Sequence, residues 1–481
     1  MTEAHYDLMV IGSGPAGEKG AAQAAYFGKK VALIERSRLL GGAAANTGTL
    51  PSKTLRETSL FLSGFRNRRL EGIRVSVSNE ITVPELMARE QIITAHERQR
   101  IKVNLDRHHI ALFRGQASFI DAHTVAVRDE TGKEQRLSGD FILIATGSQP
   151  HRPPQFPFDD PRVYDSDSIL NLHGIPKSLL VVGGGVVGCE YASMFCELGV
   201  EVTLIEKYSR LLGFLDLEIA QALCEQMQSL GVRILLPEGV ASVKAGERLE
   251  VTFNSGAKLS PDAILVSSGR DGNTAELNLG CLGIEVNSQS KIPVNEHYQT
   301  SVPHIYAAGD VIGKPALAST SMEQARVAMV HAFDLGYRKG LPHLLPYGIY
   351  TIPECSIAGA TEEELKQQGV PYVVGRARYA NNARGQIIGD CQGFLKLIFH
   401  EDDLRLLGVH MIGEQATELI HIGLTALLLG ANASLFVQSC YNYPTLTEVY
   451  KYAAYDALGC LDRKNGKIDP HLRQKIIGGQ S

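Results

Sequence analysis

The stretch YDLMVIGSGPAG, residues 6–17, is an apolar run that ends in three closely spaced glycines. A segment rich in small residues follows it, and a second apolar run, KVALIE, ends at Glu35. This order predicts a strand, a helix whose N-terminus faces a phosphate group, a second strand, and an acid that binds ribose hydroxyls. The residues predicted to contact a dinucleotide here are Gly12, Gly14, Gly17 and Glu35.

The stretch SLLVVGGGVVG, residues 178–188, repeats this order later in the chain. The same interval that separates Gly17 from Glu35 separates Gly188 from Glu206, at the end of the run VEVTLIE. Two such units predict two dinucleotide sites, and therefore a hydride relay between bound nucleotides. The residues predicted for the second site are Gly183, Gly185, Gly188 and Glu206.

Composition is that of an ordinary enzyme in water. The 481 residues are enough for roughly three to four domains, and 44% of them are hydrophobic and 21% charged. A net charge of −5 gives no reason to expect binding of nucleic acid or an anionic membrane. Without a signal-peptide or membrane-span pattern, a cytoplasmic protein is predicted, whose eight cysteines are expected to be buried, reduced thiols. No metal site is expected.

Two further segments predict strands that end in polar turns. FILIATGSQP, residues 141–150, reads as a buried strand that closes on Thr146 and Gly147. VPHIYAAGDV, residues 302–311, reads as a strand that ends just before Asp310. An acid at that position suits the binding of a cofactor hydroxyl, although a simple turn or helix cap would use the same residue.

Taken together, these segments resemble the flavoprotein disulfide reductase superfamily over nearly the whole chain. The resemblance implies an α/β fold with two Rossmann-like dinucleotide-binding domains, for non-covalent FAD and for NAD(P), and a C-terminal α+β dimerisation domain. A homodimer, or a larger homo-oligomer, is expected. The implied boundaries are an FAD-binding domain at 1–150, an NAD(P)-binding domain at 151–272, a central domain completing the FAD site at 273–344, and a dimerisation domain at 345–481.

The resemblance also implies further cofactor contacts. The turn RGQASF, residues 114–119, would lie near the adenine, and GRDGN, residues 269–273, would form the crossing between domains. The segment ALASTSMEQAR, residues 316–326, predicts a helix that Ser319 or Thr320 can cap and whose N-terminus would face the flavin. The additional residues implied to bind cofactor are Gly42, Lys53, Gly115, Ala117, Thr146, Gly147, Gly269, Asp310 and Ala318.

The loop GGAAANTGTLPSK, residues 41–53, departs from the superfamily at its reactive positions. Disulfide reductases carry a cysteine pair where this chain has Ala44 and Thr49, so a dithiol relay is excluded. Tyr443 stands where the superfamily has a histidine base. A phenol titrates near 10 and an imidazole near 6.5, so tyrosine is a poor proton carrier at neutral pH.

Three motifs resemble the soluble transhydrogenase branch of that superfamily: TGTLPSK at 47–53, RLLGFLD at 210–216 and NYPT at 442–445. This resemblance implies that hydride passes from NADPH to NAD⁺ through one nicotinamide pocket, in a ping-pong cycle on the flavin. Members of the branch often keep the first cysteine, where this chain has Ala44. Two alternatives stay open: an NAD(P)H oxidase or quinone reductase, and a non-enzymatic nucleotide sensor or scaffold.

Five side chains carry the predicted chemistry. The superfamily pairs the lysine after Pro-Ser with a glutamate on the second fingerprint helix, which implies Lys53 and Glu190 as the catalytic pair beside the flavin. Glu206 suits the ribose of NAD(H) and repels a 2′-phosphate. Lys207 and Arg210 can reach such a phosphate and offset that repulsion, or they can be solvated surface residues.

Overall fold

The computed structural model describes residues 4–64, 82–337 and 340–466. The α-helices in these ranges are α1 (Pro15–Tyr26), α2 (Gly42–Asn46), α3 (Thr49–Leu62), α4 (Val83–Arg107), α5 (Val186–Glu197), α6 (Leu217–Leu230), α7 (Ala318–Ala332), α8 (Glu362–Gln368), α9 (Ala383–Ile388), α10 (Ala416–Leu428), α11 (Ala433–Gln438) and α12 (Val449–Lys464).

The strands of the first two-thirds of the chain are β1 (Ala4–Ile11), β2 (Val31–Glu35), β3 (Ala111–Arg114), β4 (Gln116–Phe119), β5 (Thr124–Arg128), β6 (Glu134–Ile144), β7 (Ser148–Pro150), β8 (Val163–Asp165), β9 (Ser178–Val182), β10 (Glu201–Ile205), β11 (Arg233–Leu235), β12 (Val240–Ala245), β13 (Leu249–Phe253), β14 (Lys258–Leu259), β15 (Ala263–Val266), β16 (Arg270–Gly272) and β17 (Ile305–Ala307). Those that follow are β18 (Tyr347–Ile349), β19 (Cys355–Gly359), β20 (Tyr372–Arg378), β21 (Phe394–His400) and β22 (Leu406–Ile412).

The first sheet contains the first fingerprint. Its strand order is β3-β2-β1-β6-β5-β4, and a seventh strand, β17, also pairs with β6. Strands β1, β2, β3, β6 and β17 pair with one another in parallel, whereas the pairs β4–β5 and β5–β6 are antiparallel. Strand β17 comes from residues 305–307, so the central part of the chain returns to extend the sheet that β1 begins.

The second sheet contains the second fingerprint. Its order is β11-β10-β9-β15-β8, all parallel, and a smaller antiparallel sheet, β12-β13-β14, accompanies it. The short antiparallel pair of β7 with β16 lies where the chain passes between the two nucleotide-binding units. Both units therefore have the strand–helix–strand order that their sequences predict.

The C-terminal part is an antiparallel sheet with helices packed against it. The strand order is β18-β19-β22-β21-β20, and side chains of α10 and α12 share an apolar core with it. The approach of α12 to β20 is close, because a Cβ atom on Gly375 would lie 1.9 Å from the carbonyl oxygen of Ala453. A separate apolar cluster joins all three parts of the chain, and its members include Leu55, Tyr191, Met194 and Ile352.

The expectation that the cysteines are buried is wrong for several of them. Cys189 and Cys355 are buried, but Cys281, Cys391 and Cys440 are exposed. All eight lie in the described ranges, and none is in a disulfide. Within those same ranges, no helix has the length and apolar character that a membrane crossing requires.

Candidate functional site

The first and third glycines of each fingerprint are required by the polypeptide itself. Gly12 and Gly183 have φ angles of +106° and +107°, which favour glycine. A Cβ atom on Gly17 would lie 1.9 Å from the carbonyl oxygen of Gly12, and one on Gly188 would lie 1.8 Å from that of Gly183. Glycine at these four positions follows from the tight turn and from close helix–strand packing.

The second glycine of each fingerprint is different. Gly14 and Gly185 have φ angles of −65° and −79°, which any residue adopts. A Cβ atom on Gly185 would meet no atom of the described chain within 4 Å, and one on Gly14 would meet only the Cα atom of Gly42, at 3.9 Å. The protein does not need glycine at either position. A ligand that approaches the backbone closely supplies the reason, and this fits a dinucleotide pyrophosphate at each site.

The acid at the end of each unit is bonded to its own glycine turn. Glu35 accepts a hydrogen bond from the backbone N–H of Ser13 at 2.8 Å, and Glu206 accepts one from Gly184 at 2.7 Å. A carboxylate offers about four lone-pair positions, so each acid keeps acceptor capacity for ribose hydroxyls. The internal repeat therefore extends to the hydrogen bonds that position the two acids.

Two polar groups at the first site have no hydrogen-bond partner in the described part of the chain. The hydroxyl oxygen of Thr146 is buried and has no hydrogen-bond partner among the described residues. Helix α7 begins at Ala318 with Leu317 at the N-cap, and no described side chain caps it. The expectation that Ser319 or Thr320 caps this helix is wrong, because both lie inside it. The uncapped N–H groups and the unpaired hydroxyl fit a bound ligand with acceptor and donor atoms.

The loop after β2 lies against the first fingerprint. The N–H of Gly41 donates to the hydroxyl of Ser13 at 3.0 Å. Gly42 has a φ angle of +55°, and a Cβ atom on it would lie 2.9 Å from the Cα atom of Gly14. The structure thus brings Gly42 beside the one glycine of this fingerprint that the fold does not itself require.

The other residues predicted to bind cofactor lie at turns and strand ends. Gly115, with a φ angle of +150°, forms the bend between β3 and β4, and Ala117 is buried on β4. Gly147 and Gly269, with φ angles of +70° and +111°, directly precede β7 and β16. Asp310 accepts a hydrogen bond from the hydroxyl of Ser148 at 2.9 Å. Their contacts with a cofactor stay predictions.

The predicted catalytic pair is brought together by the fold. The ammonium nitrogen of Lys53 lies 2.6 Å from Oε2 of Glu190, whose side chain is 5% exposed. The backbone N–H of Tyr350 donates to Oε1 of the same carboxylate at 2.9 Å. The ammonium nitrogen also lies 4.8 Å from the centre of the Tyr350 ring. Burial raises the pKa of the Tyr350 phenol. Tyr350 was missed by sequence reasoning.

The segment around Tyr350 holds both helices that carry the pair. Arg56, one turn beyond the lysine on α3, donates to the carbonyl of Thr351 at 3.1 Å. Ser193, one turn beyond the glutamate on α5, accepts from the N–H of Ile352 at 3.1 Å. Residues three apart on a helix lie on the same face, so each helix presents two contacts to this one segment.

The positions of the superfamily's cysteine pair contain no sulfur. Ala44 lies in α2, and Thr49 begins α3. The first cysteine of the chain, Cys189, is next to Glu190 in sequence but is fully buried, and burial raises the pKa of its thiol well above the usual range. Tyr443 is 75% exposed in this chain.

The two basic residues near Glu206 differ in their partners. The guanidinium of Arg210 donates to the carboxylate of Glu363, in the C-terminal part, and to the carbonyl of Gly213. The ammonium nitrogen of Lys207 lies 4.9 Å from the centre of the Tyr208 ring. The structure therefore does not bring the two basic side chains together at the ribose acid.

Comparison with known families decides the class of protein. Residues 6–327 match the family model described as pyridine nucleotide-disulphide oxidoreductase, and residues 345–454 match the dimerisation domain of the same family. The chain belongs to the pyridine nucleotide-disulphide oxidoreductase family. It is an oxidoreductase, and the fold class predicted from its sequence is confirmed.

Curated relatives cover almost all of this oxidoreductase. A soluble pyridine nucleotide transhydrogenase of Mycobacterium bovis is 47% identical over 455 residues, which are 94% of this chain and 97% of the relative. One of Colwellia psychrerythraea is 40% identical over 95% of this chain and 98% of the relative. The resemblance to the soluble transhydrogenase branch is confirmed by these relatives.

Solved structures agree with the fold. The copper complex of the HOCl-induced flavoprotein disulfide reductase RclA from Escherichia coli has a TM-score of 0.85, with 29% identity over 95% of this chain and 99% of that one. LpdA from Mycobacterium tuberculosis has a TM-score of 0.86, with 26% identity over 94% of this chain and 99% of that one. The family implies FAD with NAD(P)H as cofactors, and the sites described above fit them.

Proposed function

We propose that this oxidoreductase transfers hydride from NADPH to NAD⁺, one nucleotide after the other at a single nicotinamide pocket, without a disulfide relay. One observation carries the proposal: the loop at 41–53 retains Lys53 in its ion pair with Glu190, but has Ala44 and Thr49 at the dithiol positions. The names of the curated relatives support it. NADPH and NAD⁺ become NADP⁺ and NADH, so atoms and charge balance.

The side chains of this protein would bind and orient the reactants. FAD, when bound, supplies the hydride chemistry, since it accepts a hydride from one nicotinamide and donates it to another. The backbone at Gly14 and Gly185 would hold the two pyrophosphates. The Lys53 ammonium, fixed by Glu190, would stabilise negative charge that develops beside it during hydride transfer.

The site next to Glu206 suits a protein that uses both nucleotides. The carboxylate of Glu206 would accept ribose hydroxyls of NAD(H), and the nearby Lys207 ammonium would offset its repulsion of a phosphate. We further propose that the protein is a cytoplasmic homodimer formed through its dimerisation domain, residues 345–454.

An anaerobic experiment in two steps tests this function. NADPH is added to the FAD-loaded protein, and the visible absorbance of FAD is expected to bleach. NAD⁺ is then added, and the absorbance is expected to return while one NADH forms for each FAD. Return only with oxygen or a quinone would instead indicate an oxidase or quinone reductase. Absence of bleaching with either NADPH or NADH would indicate a nucleotide-binding sensor.

Restoring the missing thiols tests the loss of disulfide chemistry. In the variant with Ala44→Cys and Thr49→Cys we expect a disulfide under oxidising conditions, provided that the two Cα atoms are about 4.4–6.8 Å apart. On reduction, a long-wavelength absorbance band of a thiolate beside FAD should appear. Dihydrolipoamide turnover should stay low, because position 443 has an exposed tyrosine where disulfide reductases have the histidine that acts as the base.

The controls for this variant separate the thiols from the missing base. Ala44→Cys alone cannot form the bond and should keep one additional titratable thiol after oxidation. Adding Tyr443→His should raise dihydrolipoamide turnover more in the double-cysteine protein than in the parent, since groups that act as a unit are not additive. Turnover close to the transhydrogenase rate with Tyr443 in place would contradict the view that these losses belong together.

A further inference from the structure

Arg210 is bonded to two partners at the boundary between the second nucleotide-binding unit and the C-terminal part. One terminal nitrogen pairs with Oε1 of Glu363, and the other donates to the carbonyl of Gly213. The other carboxylate oxygen of Glu363 accepts the N–H of Leu217, at the start of α6, at 3.2 Å. Moving Arg210 to a ligand would therefore break its bonds to one oxygen of the Glu363 carboxylate and to the carbonyl of Gly213.

The side chains of Lys207 and Tyr208, unlike that of Arg210, form no hydrogen bond or ion pair within the described ranges. Within the described chain, the Lys207 ammonium is in no ion pair, and it lies over the Tyr208 ring. Tyr208 is 65% exposed, and its hydroxyl bonds to no residue of the ranges described above. Its backbone N–H donates to Oε1 of Glu206 at 3.0 Å, so both residues are anchored beside the ribose acid.

We propose that the 2′-phosphate of NADP(H) is bound by the Lys207 ammonium together with the Tyr208 hydroxyl, and that Arg210 only holds the loop. The inference rests on the proposed use of both nucleotides. It revises the expectation that Arg210 shares in reading the phosphate, and it adds Tyr208, which sequence reasoning missed.

The geometry of Glu206 supports this assignment. Its two carboxylate oxygens accept from the backbone N–H of Gly184, in the glycine turn, and from that of Tyr208, so Tyr208 is bonded directly to the predicted ribose acid. A phosphate there is repelled by Glu206 and needs a cation and a donor. Lys207 supplies the cation by leaving the ring face, and the hydroxyl of Tyr208 is a free donor. With NAD(H) neither has to move.

Binding of nucleotide fragments tests the proposal without any hydride transfer. The FAD-loaded protein is titrated with adenosine 2′,5′-bisphosphate and with AMP, which differ by the 2′-phosphate. Lys207→Gln should weaken binding of the bisphosphate roughly tenfold and binding of AMP less than about twofold, as expected when a charge-assisted hydrogen bond is lost. Tyr208→Phe, which removes only the hydroxyl, should weaken the bisphosphate roughly threefold and leave AMP unchanged.

Arg210→Gln is the matched comparison, because it also removes one positive charge from the same loop. It should change the affinities for the two fragments by the same factor. The assignment would be overturned if Arg210→Gln lost affinity for the bisphosphate but not for AMP. It would also be overturned if the parent and Lys207→Gln bound the bisphosphate with equal affinity. An unchanged affinity in Tyr208→Phe would remove the hydroxyl from it. Failure of NAD⁺ to restore the FAD absorbance would refute the transhydrogenase function and leave these fragment affinities untouched.

Discussion

Lys53→Met should lower the rate at which NADPH bleaches bound FAD by on the order of 10²-fold, and the rate with NADH by a similar factor. The ammonium is held at 2.6 Å by the buried carboxylate of Glu190 and faces the ring of Tyr350, so its position is fixed before substrate arrives. A charge that is already in position needs no reorganisation during the reaction. Methionine keeps most of the length of the lysine side chain but not its charge. Stopped-flow absorbance measures both rates.

The protein contains a matched control for this variant. Lys19 pairs with the buried Glu18 at 2.9 Å, with side-chain exposures of 17% and 2%, close to the 27% and 5% of Lys53 and Glu190. Lys19→Met therefore removes a lysine of similar burial from a similar pair on α1. Rates are expressed per bound FAD, so that loss of cofactor is not counted as loss of rate. An equal decrease in both variants would rule out a specific role for Lys53.

Lys396→Met should lower the free energy of unfolding by about 3–5 kcal/mol. Its side chain is 1% exposed, and the ammonium lies 2.7 Å from Asp216, 3.1 Å from Glu218 and 2.5 Å from Glu362. The variant leaves Asp216 without its lysine partner, and leaves Glu218 and Glu362 paired with Arg376, at the contact between α6 and the C-terminal sheet. Chemical denaturation of the FAD-loaded protein measures the effect. Lys464→Met, which removes an exposed lysine from its pair with Glu401, should leave the midpoint nearly unchanged.

The difference between parent and Lys396→Met should depend on pH. Burial would lower the pKa of Lys396, but hydrogen bonds with Asp216 and Glu362 raise it on balance. Burial would raise the pKa of each of those carboxyls, but charges and hydrogen bonds hold both below their usual range. The two carboxylates therefore stabilise the folded protein fully at pH values above their ordinary pKa values. This stabilisation is lost as the pH falls through their lowered pKa values in the folded protein. Lys396 stabilises the folded protein fully at pH values below its ordinary pKa. This stabilisation is lost as the pH rises through its raised pKa in the folded protein.

The directions of these pKa shifts predict how the stability difference between parent and Lys396→Met depends on pH. The stability difference between the two proteins should be widest near neutral pH, and it should shrink in acid and again in strong alkali. A difference that stays constant through the acid range would mean that the cluster's carboxylates are not the groups Lys396 compensates. Unfolding midpoints of both proteins over a pH series provide the test.

The sequence predicted more of the fold than of the site. Both strand–turn–helix units and the α7 segment were predicted, although the cap of α7 was assigned wrongly. Leu317 has the extended backbone of an N-cap, so the serine and threonine that follow it are already helical. The pairing of Lys53 with Glu190 followed from resemblance, because the two residues are 137 positions apart and no local pattern connects them.

By itself the sequence determined the two nucleotide-binding units and the absence of a dithiol in the loop at 41–53. These depend on backbone angles, on the space beside a glycine and on residue identity, all of which neighbouring positions specify. Only the tertiary structure decided what the functional side chains are bonded to. Tyr350 reaches Glu190 across 160 positions, and Glu363 engages Arg210 across 153. A side chain's partner depends on which distant segment packs against it, and a linear spacing carries no information about that.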